Sequence, residues 1–283
     1  MHLPLAFLHL KTKSNPSIMK RILCLFGALA LIVSSCSNDD KSSAEELDST
    51  LPKTISYIYP SPELGTNSKQ TASYNGNEIV SLTNNDSKTV FTYDGNIIVK
   101  QEVFDVDESG KETKNEEVSY AYENGKLKTK VIREDFTAEY PDGNYIEKVV
   151  FTHTSNEIIS YIDYSVNKDT KAETKNSEGT LTYKDGNLVK DEKKFNSLTE
   201  TRVYEYDAKN NPLKNIVGFS MLLNEIDGFA KNNVVKTTKT SSEFPNAAVY
   251  LTTYIYNDNN YPTRHTSFDG GGQNIEFEIE YTY

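Results

Sequence analysis

The stretch Thr92 to Lys100, TYDGNIIVK, decides the fold, because the chain writes it again and again. YENGKLKTK ends at Lys130, TYKDGNLVK at Lys190 and YIYNDNNYP at Pro262. Each copy has an aromatic residue, then a cluster of Asp, Asn, Gly or Lys, then two or three apolar residues. These residue types describe a β-hairpin. Asp94-Gly95, Asn124-Gly125 and Asp185-Gly186 supply the positive φ angles that tight hairpin turns need. Asn tolerates the same region, which accounts for Asn210-Asn211, Asn232-Asn233 and Asn259-Asn260 in the less regular copies.

Eight units align on one frame, anchored at Tyr74, Tyr93, Tyr122, His153, Tyr183, Tyr206, Phe229 and Tyr256. A recurring period of this size marks a repeated supersecondary unit. The segments entering the turns alternate, so Tyr120 and Tyr122 share a face, as do Tyr204 and Tyr206, and Tyr254 and Tyr256. At the C-terminus, Ile275, Phe277, Ile279, Tyr281 and Tyr283 alternate with Glu276, Glu278, Glu280 and Thr282. That is a half-buried strand with one wet face. No hairpin is stable alone, and about sixteen strands are more than an open twisted sheet carries without curling. The expected fold is all-β: a strongly curved antiparallel sheet of repeated hairpins, either a half-barrel or a loosely closed barrel. One stretch breaks the pattern. In NPLKNIVGFSMLLNEIDGFAK, residues 211–231, the residues Ile216, Phe219, Leu222, Leu223 and Ile226 fall at helical spacing before Gly228. This predicts a short helix near 218–227 that plugs one end of the sheet.

The N-terminal region is an address rather than a fold. Met19-Lys20-Arg21 precedes an apolar run, Ile22 to Val33, that is too short for the roughly 20 residues of a membrane span and suits a secretory signal. The run ends in Val33-Ser34-Ser35-Cys36, which resembles a lipobox. The resemblance implies cleavage after residue 35, acylation of Cys36, and outer-membrane lipid as a partner. Residues 1–18 add nothing to this signal, which places the working start at Met19. Residues 36–53 read as a polar tether and 54–283 as one domain. Asn38, Asp39 and Asp40 resemble the export signal that sends Bacteroidetes-type lipoproteins to the cell surface. Removing residues 1–35 takes away Lys11, Lys13, Lys20 and Arg21 and no acid. The mature chain then sets 26 basic residues against 41 acidic ones, a formal charge of −15. This speaks against nucleic acid as a partner, since phosphate binding needs clustered positive charge.

The units YEYDAKNNPLKN, residues 204–215, and TYKDGNLVK, residues 182–190, resemble the tyrosine-aspartate repeats of Rhs-type proteins. With the lipobox, the short helix and the closing aromatic strand, residues 54–283 look similar to a family of Bacteroidetes outer-membrane lipoproteins. The resemblance implies a porin-like or half-barrel fold and no particular activity. His153 and Phe229 stand where the repeat asks for tyrosine.

The sharpest local motif is DVDESGKETKNE, Asp105 to Glu116. Asp105, Asp107, Ser109 and Glu116, with Gly110 at the turn, match the spacing of a calcium loop. Strand-like flanks, Glu112 at a normally apolar position, and Lys111 and Lys114 inside the loop oppose that reading and favour a solvated hairpin loop. Otherwise no cofactor is expected, and no catalytic motif is present. His153 and His265 lie in different units, and Glu116-Glu117 and Glu134-Asp135 point to opposite faces of a strand. The nineteen tyrosines suit half-wet strands, or an amphipathic binding face. The sequence therefore points to a lipid-anchored, non-enzymatic binding or adhesion module on the outer membrane, facing outward, for a glycan or a protein. An accessory subunit without its own ligand is the alternative. A hydrolase with cross-strand carboxylates is the weaker one.

Overall fold

A computed structural model describes residues 50–223, 230–244 and 246–283. Cys36, Asn38, Asp39, Asp40 and Phe229 lie outside the described residues. The strands are β1 (Thr54–Ile58), β2 (Ser68–Asn75), β3 (Glu78–Thr83), β4 (Ser87–Asp94), β5 (Ile97–Val106), β6 (Glu112–Glu123), β7 (Lys126–Glu134) and β8 (Tyr145–His153). They continue as β9 (Ile158–Val166), β10 (Glu173–Lys184), β11 (Asn187–Phe195), β12 (Leu198–Tyr206), β13 (Val234–Ser241), β14 (Ala248–Tyr256), β15 (Pro262–Phe268) and β16 (Ile275–Thr282). Each strand pairs antiparallel with its chain neighbours, and the ring is closed. The seam is β1 against β16, with Thr54 opposite Thr282 and Tyr57 opposite Ile279.

The strand count agrees with the repeat reading, but the route to it differs. Seven anchors, Tyr74 to Tyr206 and Tyr256, end the first strand of a hairpin. The eighth anchor, Phe229, is outside the described residues, and the described strands to either side of it are β12, ending at Tyr206, and β13, starting at Val234. The pair that the eighth unit would supply comes from the β16–β1 seam. The turns also need correction. Asn124-Gly125 and Asp185-Gly186 both have positive φ, as a type I′ turn requires. At Asp94-Gly95 only Gly95 does (φ 57°), because the turn is Gly95-Asn96. Of the three Asn pairs, only Asn260 is left-handed. The others work through their amides: Asn187 Nδ2 donates to Asn232 Oδ1 at 3.0 Å, and Asn233 Nδ2 to Asp207 Oδ2 at 3.2 Å.

The repeated tyrosine has a second role that its position in the repeat conceals. Its hydroxyl reaches across to the returning strand of the preceding hairpin. Tyr122 donates to Ile98 O (2.8 Å) and Tyr206 to Leu188 O (2.6 Å); away from the anchor positions, Tyr254 donates to Val234 O (2.9 Å) and Tyr283 to Pro262 O (2.8 Å). Each acceptor is the first or second residue of its strand. Tyr93 accepts from Ile79 N at 3.1 Å in the same way. His153 replaces tyrosine without losing the bond, since its Nε2 lies 2.8 Å from Leu127 O. The phrase recurs because its copies turn the chain, and the anchors Tyr93, Tyr122, His153 and Tyr206 also fasten one hairpin to the next.

All these turns lie at one end of the barrel, and that end is plugged. Sixteen strands about 4.8 Å apart make a wall roughly 80 Å around before tilt. Wall side chains alone do not fill a lumen of that width. The connection from β12 supplies the filler. Leu213, Ile216, Phe219 and Leu222 are all buried, and each of the last three donates its N–H to the carbonyl of the one before, at 3.1, 3.3 and 3.0 Å. The expected helix over 218–227 is therefore, in its described part, one 3-10 turn, Phe219–Met221, entered through Gly218 at φ 80°. A Cβ on Gly218 would sit 3.1 Å from Ile98 N, so the plug rests directly on the β4–β5 turn. Tyr93 Oη bonds Val217 O at 3.1 Å, and Val217 N bonds Asn77 O at 2.9 Å.

Candidate functional site

From the plugged end to the other end, the mouth, the inner wall changes character. On β9 it runs Ile159, Tyr161, Asp163; on β10, Leu181, Gly179, Ser177; on β11, Leu188, Asp191, Lys193. The apolar members belong to one cluster with Phe219, Phe91, Ile98 and Leu127. The polar members are held by one another. Tyr161 Oη donates to Asp191 Oδ1 at 3.1 Å, and both residues are buried. To reach it, the Tyr161 ring lies flat across Gly179, where a Cβ would overlap the ring and stand 2.5 Å from Glu192 O. A glycine inside a strand marks such a close approach. Burial, and then the Asp191 carboxylate, push the Tyr161 hydroxyl far above the usual phenol range, so it stays a donor.

Nearer the mouth, Lys193 Nζ is 3.5 Å from Asp163 Oδ2 and Lys239 Nζ is 3.3 Å from Glu200 Oε1. The Lys239 and Glu200 side chains are 35% and 24% exposed, so solvent reaches this part of the inner wall. His265 lies on the same wall but in apolar company. Its ring is 5.2 Å from Tyr254 and 5.6 Å from Phe277, and burial pushes its pKa down to about 4. Its Nε2 lies 2.6 Å from Ser267 Oγ, and the ring is half-buried on the inner wall.

The sequence-derived candidates are dispersed. In the calcium-like loop, Asp107 Oδ1 caps its own turn, accepting from Ser109 N (2.8 Å), Ser109 Oγ (2.6 Å) and Lys111 N (3.0 Å). Asp105 Oδ1 accepts from Asn115 Nδ2 at 3.1 Å, and Glu116 stands opposite Val103 on β6. Among the described residues, no group of three or more His, Cys, Asp or Glu side chains is placed to hold a metal. Asp135 lies beyond the end of β7, so Glu134 and Asp135 do not share a strand, but acids meet across strands, which spacing along the chain does not reveal. Glu102 stands opposite Glu117, and Glu116 opposite Glu134. Lys114 bridges the first pair at 2.7 and 2.5 Å. Burial raises the Glu102 pKa, but the bonds from Lys100 and Lys114 outweigh it and hold the group lowered. That is the wrong direction for a general acid.

The outer wall carries ion pairs around its girth, including Lys190–Glu192 (2.9 Å), Lys236–Glu205 (2.7 Å) and Arg264–Glu280 (2.5 Å). A lipid-facing barrel presents an apolar band instead.

The fold has a solved counterpart. A porin-like protein from Bacteroides vulgatus is similar at a TM-score of 0.56 and 13% identity, covering 83% of this chain and 98% of that one. A porin-like protein from Bacteroides uniformis gives a TM-score of 0.49 at 13% identity, over 82% and 97%. No protein-family model matches the chain, and no curated protein matches it. At this identity the likeness to the first structure is one of fold: a closed antiparallel barrel shared with a Bacteroides porin-like protein.

Proposed function

We propose that the protein is a lipid-anchored, non-enzymatic binding module that holds a polar ligand, a glycan or a segment of another protein, in the mouth of its barrel. The observation that carries this reading is the inner wall, apolar under the plug and charged and solvent-reached at the mouth. Barrel mouths are common ligand sites, because a rigid wall can aim a few polar groups inward. The plug speaks against conduction through the barrel. The charged outer wall fits a domain in water rather than in lipid.

The path of the chain gives the module a direction. Thr50 and Lys53 lie at the plugged end, where Asn215 Nδ2 bonds Thr50 O at 3.0 Å and Lys53 N bonds Thr282 O at 2.7 Å. A tether from acylated Cys36 joins that end, so the mouth points away from the bilayer. With Asn38-Asp39-Asp40 as an export signal, that bilayer is the outer membrane and the mouth faces the exterior. Glycan-array and surface-protein binding by the full mature chain test the reading, with Lys193→Ala and Lys239→Ala as mouth variants. A ligand lost in both variants, with melting unchanged, supports it. No ligand, together with co-purification of a fixed partner, moves the reading to an accessory subunit.

A further inference from the structure

Between β6 and β10 the outer wall departs from its charged pattern. Val131, Ile146 and Val166 sit there on β7, β8 and β9, and Ile146 is buried although it belongs to no part of the interior cluster. Residues 135–144, between β7 and β8, fold back over them. This loop is tied to the wall by Asn144 N to Glu134 O (2.9 Å) and Asp135 N to Asn115 O (3.2 Å), and to itself by paired bonds between Thr137 and Tyr140. Gly143 (φ 86°) packs on Arg133, whose Cβ would lie 3.1 Å from a methyl there. What the loop leaves open is a cleft of about 730 Å³, walled by Phe136 and Pro141. That volume is within the roughly 300–1,000 Å³ of small-ligand sites.

Lys114, Glu117, Arg133, Lys148 and Glu173 around the cleft are already paired, while Asp142 and Lys171 also line it and Lys171 Nζ bonds Lys168 O at 2.7 Å. Lys114 Nζ bridges Glu102 and Glu117 and stands 4.8 Å from the Phe136 ring centre. Arg133 meets Glu117 at 3.4 Å, and Lys148 meets Glu173 at 2.7 Å. At Lys114, Arg133 and Lys148 a ligand anion would have to displace a carboxylate, and at Glu117 and Glu173 a ligand cation would have to displace a lysine or arginine. A sugar hydroxyl displaces neither, because it donates to a carboxylate and accepts from an ammonium or guanidinium group. The C–H face of a pyranose needs a flat apolar wall, which Phe136 and Pro141 offer above the buried Ile146. We propose that this cleft is a second binding site, separate from the mouth, for a neutral pyranose unit of a short oligosaccharide.

The test is calorimetry and saturation-transfer NMR on the full mature chain. The probes are neutral hexose trisaccharides of gluco, galacto and manno configuration, and a uronic acid trisaccharide. At least one neutral trisaccharide binds, and binds more tightly than the uronic one. Phe136→Leu keeps apolar bulk under the loop but removes the ring; it weakens binding about tenfold with melting unchanged. Lys239→Ala, in the mouth, leaves this binding intact. No binding at millimolar sugar, preference for the uronic acid, or indifference to Phe136→Leu overturns the proposal. Loss on Lys239→Ala also overturns it, and would assign the sugar to the mouth instead.

Discussion

At the plugged end of the barrel, two-residue turns join strands whose tyrosines bond neighbouring hairpins, and Phe219 lies buried among Phe91, Ile98 and Leu222. At the mouth, connections reach ten residues, as in 135–144, and the inner wall carries Asp163, Lys193, Glu200 and Lys239. The same strands serve both ends. Stability is concentrated where apolar area and backbone bonds are sealed from water. Chemistry is concentrated where side chains pay for neither. Substitutions at the plugged end should therefore cost stability, and those at the mouth should cost binding.

The largest effect should come from Phe219→Ala, which empties the centre of the plug. Its side chain is 1% exposed, and a loss of about 3–5 kcal/mol in urea denaturation is expected. A loss below about 1 kcal/mol would mean that the plug is not part of the folded core. The second effect is one of pH. His265 stays neutral in the fold down to about 4, while the unfolded residue takes its proton near 6.5. The unfolded state binds more protons in that window, so stability should fall as pH drops through it, by about 3 kcal/mol in all. His265→Phe should lack this part of the slope when denaturation midpoints are compared at pH 7 and pH 4.5. If both proteins fall equally, His265 is not buried as described.

Smaller effects sharpen the contrast. Gly179→Ala should push Tyr161 off Asp191 and cost about 1–3 kcal/mol, read as a melting shift. Tyr122→Phe removes one bond to Ile98 O and should cost about 1 kcal/mol. Lys239→Ala at the mouth should change stability by less than about 0.5 kcal/mol, because its pairing with Glu200 is open to solvent.

Much of this was legible in the sequence, and the reasons differ by element. Asn124-Gly125 and Asp185-Gly186 announce their turns locally, and Ile275 to Tyr283 announces its two faces by alternation. Closure was not legible. Thr54 and Thr282 are distant in the chain, and no local pattern says that they pair. In the described part of the expected helix, residues 218–223, a 3-10 turn stands instead, for an instructive reason. Leu213, Ile216, Phe219 and Leu222 recur every three residues, the period of a 3-10 turn, and the wider set that includes Leu223 and Ile226 imitates an α-helix. The tyrosine bonds were hidden because a repeat fixes position in the chain, not partner. The outer cleft was hidden because 135–144 reads as an ordinary polar loop, and only the paired strands bring Ile146 beneath it.

The most direct test of a barrel plugged at one end and open at its mouth uses the chain's lack of other thiols. The sequence has two cysteines, Cys24 and Cys36, and a chain starting at Ser37 has none. Lys239→Cys and Leu181→Cys place one thiol each on the inner wall, at the mouth and under the plug. Maleimide should label Lys239→Cys in the native protein and Leu181→Cys only after denaturant is added. Equal native labelling of both would mean that the plugged end is open, and no native labelling of either would mean that the mouth is closed.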